Sequence, residues 1–114
     1  MNTAEVSGAG PEGAALHTAL IALHAATMAI VARNNSAELH AECQTLADMV
    51  AGMQSESQPI GADLAVRLLR MSDLVRRCAQ ARPDPDIPAL RAFQAALAQA
   101  VAENNALIAA RRAR

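Results

Sequence analysis

The near absence of aromatic side chains is the feature that most restricts the fold of this chain. Phe93 is the one aromatic among 114 residues, with no tryptophan or tyrosine. Strands favour aromatic and β-branched side chains, whereas about a quarter of this chain is alanine, the strongest helix former. A chain of this length is served by a single hydrophobic core. We therefore expect one all-α domain over residues 12–114, preceded by a flexible leader, 1–11, that is rich in glycine.

Apolar residues recur at steps of three and four, the spacing that places them on one face of a helix. Clusters of glycine and proline at 52–61 and 82–86 separate the periodic segments, and Asp86 is a good N-cap for the last one. The predicted core positions are Leu16, Leu20, Leu23, Thr27, Ile30, Leu39, Cys43, Leu46, Val50 and Met53, then Leu64, Leu68, Met71, Val75 and Cys78, then Leu90, Phe93, Leu97, Val101, Asn104, Leu107 and Ile108.

The junction at Asn34-Asn35 allows two interpretations. Asn35 can act as an N-cap with Glu38 as its reciprocal partner, which gives a four-helix bundle with a break at Asn34-Asn35. Alternatively one helix runs through both asparagines, since neither glycine nor proline is present to end it. We favour the continuous helix, and hence an antiparallel bundle or long hairpin of three helices.

Charge is distributed unevenly between the two halves. Residues 1–58 contain six acids and one arginine, and residues 59–114 contain five acids and nine arginines, so the balances are −5 and +4. Opposite charges attract along the rim of a folded bundle, although each exposed pair contributes only about 0–1 kcal/mol. This pattern predicts that the first half folds back on the second.

Composition also argues against several classes of function. The formal net charge is −1, without the basic footprint and stacking aromatics of a nucleic-acid binder. The start of the chain has neither the basic nor the apolar region of a secretory signal, so we expect a cytoplasmic protein. The segment from Ala14 to Ala32 approaches the length of a membrane span, but its alanine content and its two histidines predict a buried helix and no membrane insertion.

Few side chains have the spacing that chemistry requires. His40 and Cys43 are three residues apart, and His17 and His24 are seven apart, but a structural zinc site needs four convergent ligands. Cys43 and Cys78 are interpreted as small buried hydrophobes with reduced thiols. No serine or cysteine stands beside a base in a recognisable nucleophile motif. We expect no catalytic residues, no metal and no cofactor.

The last helix carries more apolar side chains than one narrow core-facing stripe needs. The surplus predicts either a surface that receives a partner helix or packing against two neighbours within the bundle. A polar residue within such a seam specifies register or partner. The candidate partner-binding residues are Leu90, Phe93, Leu97, Val101, Asn104, Asn105, Leu107 and Ile108.

These elements together resemble the FlgN family of flagellar export chaperones. The resemblance consists of a long first helix with a polar interruption, a second helix that opens with leucine and arginine, and a last helix that ends in Glu103-Asn104-Asn105-Ala106-Leu107-Ile108. It implies a cytoplasmic, cofactor-free chaperone that binds the C-terminal helical segment of hook-associated filament-junction proteins. Such a chaperone escorts these clients to the flagellar type III export gate, with the client helix lying against the last helix. The alternative is a self-associating helical bundle with a structural or adaptor role.

Overall fold

A computed structural model of the chain describes residues 10–55 and 61–112. The described residues form helices and contain no strand, so the all-α prediction is confirmed. The helices are α1 (Gly10–Asn34), α2 (Ala37–Ser55), α3 (Gly61–Gln80) and α4 (Ile87–Arg112).

The four helices pack side by side as an antiparallel bundle. Helix α1 packs against α2 and α4, α3 packs against the same two helices, and α1 reaches α3 through the centre. Arg33, at the end of α1, lies 3.6 Å from the carboxylate of Asp86, just before α4 begins. Glu42 of α2 contacts Arg67 and Arg70 of α3. The first half of the chain therefore does fold back on the second, and opposite charges meet across the helix interfaces.

Our preferred continuous first helix differs from the structure at Asn35. The backbone of Asn35 is left-handed, with φ of 52°, and its N–H donates to the carbonyl of Val31 at 2.8 Å, which closes α1. Asparagine adopts this conformation at lower cost than most residues, so a helix can end here without glycine. Ser36, not Asn35, then caps α2, because its Oγ accepts the N–H of Leu39 at 3.2 Å.

The other predicted boundaries are partly within the described residues. Helix α3 ends at Gln80 and α4 begins at Ile87, as the prolines predict. Asp86 is the N-cap of α4, since its Oδ1 accepts the N–H of Ala89 at 3.1 Å. Helix α2 continues through Gly52 to Ser55, beyond the predicted start of the turn, and residues 56–60 lie outside the described part. Residues 1–9 of the predicted leader, 1–11, lie outside the described part, and residues 10 and 11 belong to α1.

The core contains most of the predicted seam residues. Thr27 is fully buried within this seam, and its Oγ1 donates to the carbonyl of Leu23 at 2.7 Å, which satisfies the hydroxyl inside the helix. Val50, Cys78, Leu90 and Leu97 are only partly buried against the core, and the side chain of Met53 lies outside the described part. The fully or nearly buried apolar residues are Leu16, Ala19, Leu20, Leu23, Ile30, Leu39, Cys43, Leu46, Leu64, Leu68, Met71, Leu74, Val75, Phe93, Ala100 and Leu107.

Helix α1 is unusually apolar for a bundle helix. The segment Gly13–Asn34 is long and apolar enough to cross a membrane by length and composition alone. Core helices of soluble proteins meet the same criterion. In the structure one face of α1 packs against α2 and α4, and the opposite face exposes Ile21 among small alanines.

Candidate partner-binding groove

An open apolar groove lies between α3 and α4. We call it the α3–α4 groove; its volume is about 280 Å³. Ala65 and Ser72 are short side chains seven residues apart on α3, so they leave space between the larger leucines of the two helices. The groove is lined by Ala65, Leu68, Leu69 and Ser72 of α3 and by Leu97, Val101, Asn104 and Asn105 of α4.

Large apolar side chains are exposed along this groove. Leu69 is 73% exposed on the α3 wall, and Val101 is 39% exposed on the α4 wall. Val66, one helical turn before Leu69 on α3, is 65% exposed but is not part of the groove lining. The other large exposed hydrophobics of the described residues, Ile21 and Ile87, lie on α1 and at the start of α4. Contiguous exposed apolar surface is typical of interaction sites, whereas single exposed residues are common everywhere.

Four of the eight predicted partner-binding residues line the groove. Leu97 and Val101 form its α4 wall, Asn104 lies buried at its base, and Asn105 lies at its exposed edge. These positions follow from their spacing, since 97, 101, 104 and 105 share the side of α4 that faces α3.

The other four predicted residues have different environments. Phe93 is 2% exposed and Leu107 is also buried, so both belong to the core, and a partner on the surface of this fold would not reach them. Leu90 is half-buried at the opposite end of the α3–α4 interface, near Ala79. Ile108 is half-buried one turn beyond Asn104. One part of the apolar surface on α4 therefore packs inside the bundle, and another part is exposed along the groove.

The α3 wall was missed by sequence reasoning. Leu64, Leu68, Met71 and Val75 account for the core seam of α3, and Leu69 is out of phase with all of them. The sequence does contain a signal for this wall. Leu69 is a large apolar residue directly after the seam residue Leu68, on a helix whose core seam is already complete without it. Val66 is out of phase in the same way.

The rotation of α3 that turns Leu69 outward is fixed on its other flank. Arg70 Nε donates to Glu42 Oε2 at 2.6 Å, and Arg67 lies 3.5 Å from the same oxygen. Residues 67 and 70 project toward α2, which places residue 69 on the side toward α4. The Glu42 carboxylate thus supports the rotation of α3 that the burial of Leu64, Leu68, Met71 and Val75 requires.

A second, polar groove of about 360 Å³ lies between the α1–α2 junction and the C-terminal end of α3. Its lining includes Ser36, Glu38, Arg77, Cys78 and Arg82. Its two arginines are already paired, Arg77 with Asp73 at 2.9 Å and Arg82 with Asp84 at 3.4 Å. The first pair lies within α3, and the second lies within the loop between α3 and α4.

Histidines and cysteines do not converge in the described part of the chain. No group of three or more His, Cys, Asp or Glu residues there is placed to hold a metal ion. His40 is exposed, with its Nε2 3.4 Å from Gln44 Nε2, whereas Cys43 is buried on another face of α2. Burial raises the pKa of the Cys43 thiol to about 11, and the Glu42 carboxylate adds to the effect, so at neutral pH this thiol is protonated and weakly nucleophilic.

Comparison with known proteins does not indicate a function for this chain, so a functional proposal is based on the geometry of the groove. No protein-family model, no curated protein and no solved structure matches this chain. The fold and the site define an antiparallel helical bundle with an open apolar groove between two neighbouring helices.

Proposed function

We propose that this protein binds an amphipathic helix of another protein in the α3–α4 groove. The observation that carries the proposal is the 73% exposure of Leu69 on the wall of an apolar groove. When a partner covers a leucine that is this exposed, beside a space lined by apolar carbon, the burial of apolar surface lowers the free energy of the complex.

Helices are the partners that such a groove fits best. Two antiparallel helices form a channel parallel to their axes, and a third helix lying in it can insert side chains at i, i+3, i+4 and i+7. The groove, at about 280 Å³, is at the lower limit of the roughly 300–1,000 Å³ typical of small-molecule sites, and it is partly open to solvent. It therefore suits a row of side chains better than an enclosed ligand.

The FlgN resemblance names a particular client. In that version of the proposal, the chain is a cytoplasmic export chaperone, and the bound helix is the C-terminal segment of a hook-associated filament-junction protein. Binding would hide the apolar side of the client helix until it reaches the type III export gate. Support comes from the position of the groove beside the last helix, where the resemblance expects the client, with Asn104 and Asn105 in its lining.

Light scattering coupled to size-exclusion chromatography tests the proposal with the full chain. The chain alone should be a monomer, and it should form a one-to-one complex with C-terminal helical peptides of candidate filament-junction proteins. Leu69→Asp and Val101→Asp should each abolish the complex. Ile21→Asp is the matched control, because Ile21 is a similarly exposed apolar residue on α1, and it should leave the complex intact.

Two results would contradict this function. A stable dimer or tetramer that Leu69→Asp converts to a monomer would assign the groove to the self-associating bundle. Equal peptide binding by the wild type and the Leu69→Asp variant, with unchanged circular dichroism, would place the partner elsewhere on the molecule.

A further inference from the structure

We infer that the helix bound in the α3–α4 groove is acidic, with carboxylates flanking its apolar stripe. This inference rests on the proposed function and specifies the chemistry of the partner. It follows from how charge is divided among the four helices and from the residues at the ends of the groove.

The two helices that form the groove are both basic. Helix α3 carries four arginines against two aspartates, and α4 carries three arginines against one glutamate, so each has a net charge of +2. Helix α2 carries three acids and no basic residue, and α1 carries one of each. The two helices that border the groove therefore carry a positive formal charge and α2 a negative one, and Glu42 of α2 pairs with Arg67 and Arg70 on the flank of α3 away from the groove.

Arginines stand at both ends of the groove. Arg76 follows Leu69 by seven residues on α3, and Arg112 follows Asn105 by seven residues on α4, so each shares a helix face with a groove residue about 10 Å away. Because α3 and α4 are antiparallel, these two exposed arginines mark opposite ends of the channel.

Arg67 and Arg70 are already paired with Glu42, so the positive charge that a partner in the groove can meet is that of the arginines at its two ends. Asp73 is held by both Arg76 and Arg77, so the three residues together keep one positive charge. Glu103 accepts a hydrogen bond from Gln99 and lies two residues after Val101, which turns it away from the groove. A partner with carboxylates beside its apolar stripe would pair with the arginines at both ends.

A second copy of this chain fits the groove poorly for the same reason. A symmetric dimer through the groove would bring two cationic faces together. The acidic helix α2 has no large exposed hydrophobic among its described side chains to offer to the groove. Charge complementarity therefore points to a different protein.

Three designed peptides test the inference. Each is a helix of about 18 residues with the same leucine stripe and one tryptophan, and the residues flanking the stripe are all Glu, all Gln or all Lys. Because the chain itself has no tryptophan or tyrosine, fluorescence anisotropy excited at the indole reports only on the peptide. The double variant Arg76→Gln/Arg112→Gln is compared with the wild type, and Arg33→Gln on α1 is the control.

The Glu peptide should bind about tenfold more tightly than the Lys peptide at low salt, with the Gln peptide between them. About 0.5 M NaCl should shrink that ratio toward one, because it screens exposed charges. The double variant should lose most of the preference, and Arg33→Gln should keep it. Equal binding of all three peptides would overturn the inference and leave the helix-binding function standing. Binding of none of them, by a chain that is folded and monomeric, would overturn both.

Discussion

Arg70 Nε lies 2.6 Å from Glu42 Oε2 across the interface of α2 and α3. The carboxylate side chain is only 8% exposed, whereas Arg70 is 56% exposed, so the acid is the buried partner of the pair. Arg67 approaches the same oxygen at the longer distance of 3.5 Å. The energetic consequence differs between the two arginines, because only Arg70 makes a short, charge-assisted hydrogen bond.

Removing Arg70 should therefore destabilise the protein more than removing Arg67. We expect Arg70→Gln to lower the free energy of unfolding by about 1–2 kcal/mol, since a buried carboxylate loses its hydrogen-bonded partner. Arg67→Gln should cost about 0.5 kcal/mol or less. Urea denaturation followed by circular dichroism measures both values. Equal losses would show that the carboxylate does not discriminate between its neighbours.

Leu68 and Leu69 are adjacent residues with opposite environments. Leu68 is 3% exposed and Leu69 is 73% exposed. Leu68→Ala should lower the free energy of unfolding by about 2–4 kcal/mol through loss of core packing. Leu69→Ala should change it by about 0.5 kcal/mol or less while weakening peptide binding. A large stability loss for Leu69→Ala would mean that this side chain is packed in solution and that the groove is closed.

The left-handed backbone at Asn35 predicts that glycine and alanine at this position affect stability differently. Asn35→Gly should leave stability unchanged or slightly raised, and Asn35→Ala should lower it by about 1 kcal/mol, because a Cβ is unfavourable at positive φ. If one helix ran through this position, alanine would instead raise stability, since it is the better helix former. Thermal or urea unfolding of the two variants distinguishes a helix break at Asn35 from a continuous helix.

Cys43 should dominate the alkaline stability profile. Its pKa is raised from 9.0 to about 11 by burial and by Glu42, so the folded state holds the thiol proton more tightly than the unfolded state does. The free energy of unfolding should therefore be constant just below about pH 9 and fall by about 2–3 kcal/mol as the pH rises to about 11.

The chain offers a clean background for that measurement. It contains no lysine and no tyrosine, whose side chains would otherwise lose their protons in the same alkaline range. Cys43→Ala should flatten the profile, and Cys78→Ala should leave most of it. A profile that is unchanged by Cys43→Ala would contradict the assignment.

Periodicity was enough to predict the all-α class and most of the core. Leu16, Leu20 and Leu23 were placed by their spacing alone, because a helix buries residues at steps of three and four. At Asn35 the structure has the break of the alternative interpretation and not the preferred continuous helix, because asparagine tolerates a left-handed backbone and can end a helix without glycine. The absence of glycine and the tolerance of asparagine for a left-handed backbone are both visible in the local sequence.

One of the two walls of the groove could be predicted from the sequence. Its α4 wall follows from the surplus of apolar residues on the last helix, but Phe93 and Leu107 belong to the core because α4 packs against α1 as well as α3. Its α3 wall depends on the rotation of α3 relative to α4. That rotation is set partly by the contact of Glu42 with Arg70, which joins residues 28 positions apart and has no signature in sequence periodicity.

The most direct test of the account is a two-dimensional NMR titration of the ¹⁵N-labelled chain with the Glu-flanked peptide. We predict that the amide shifts concentrate on the α3–α4 groove, at Leu69, Ser72, Val101 and Asn105, and that signals from the exposed face of α2 around His40 and Gln44 stay in place. Shifts that concentrate on α1 or α2, with the groove residues unchanged, would show that the exposed leucine of α3 is not where this protein meets its partner.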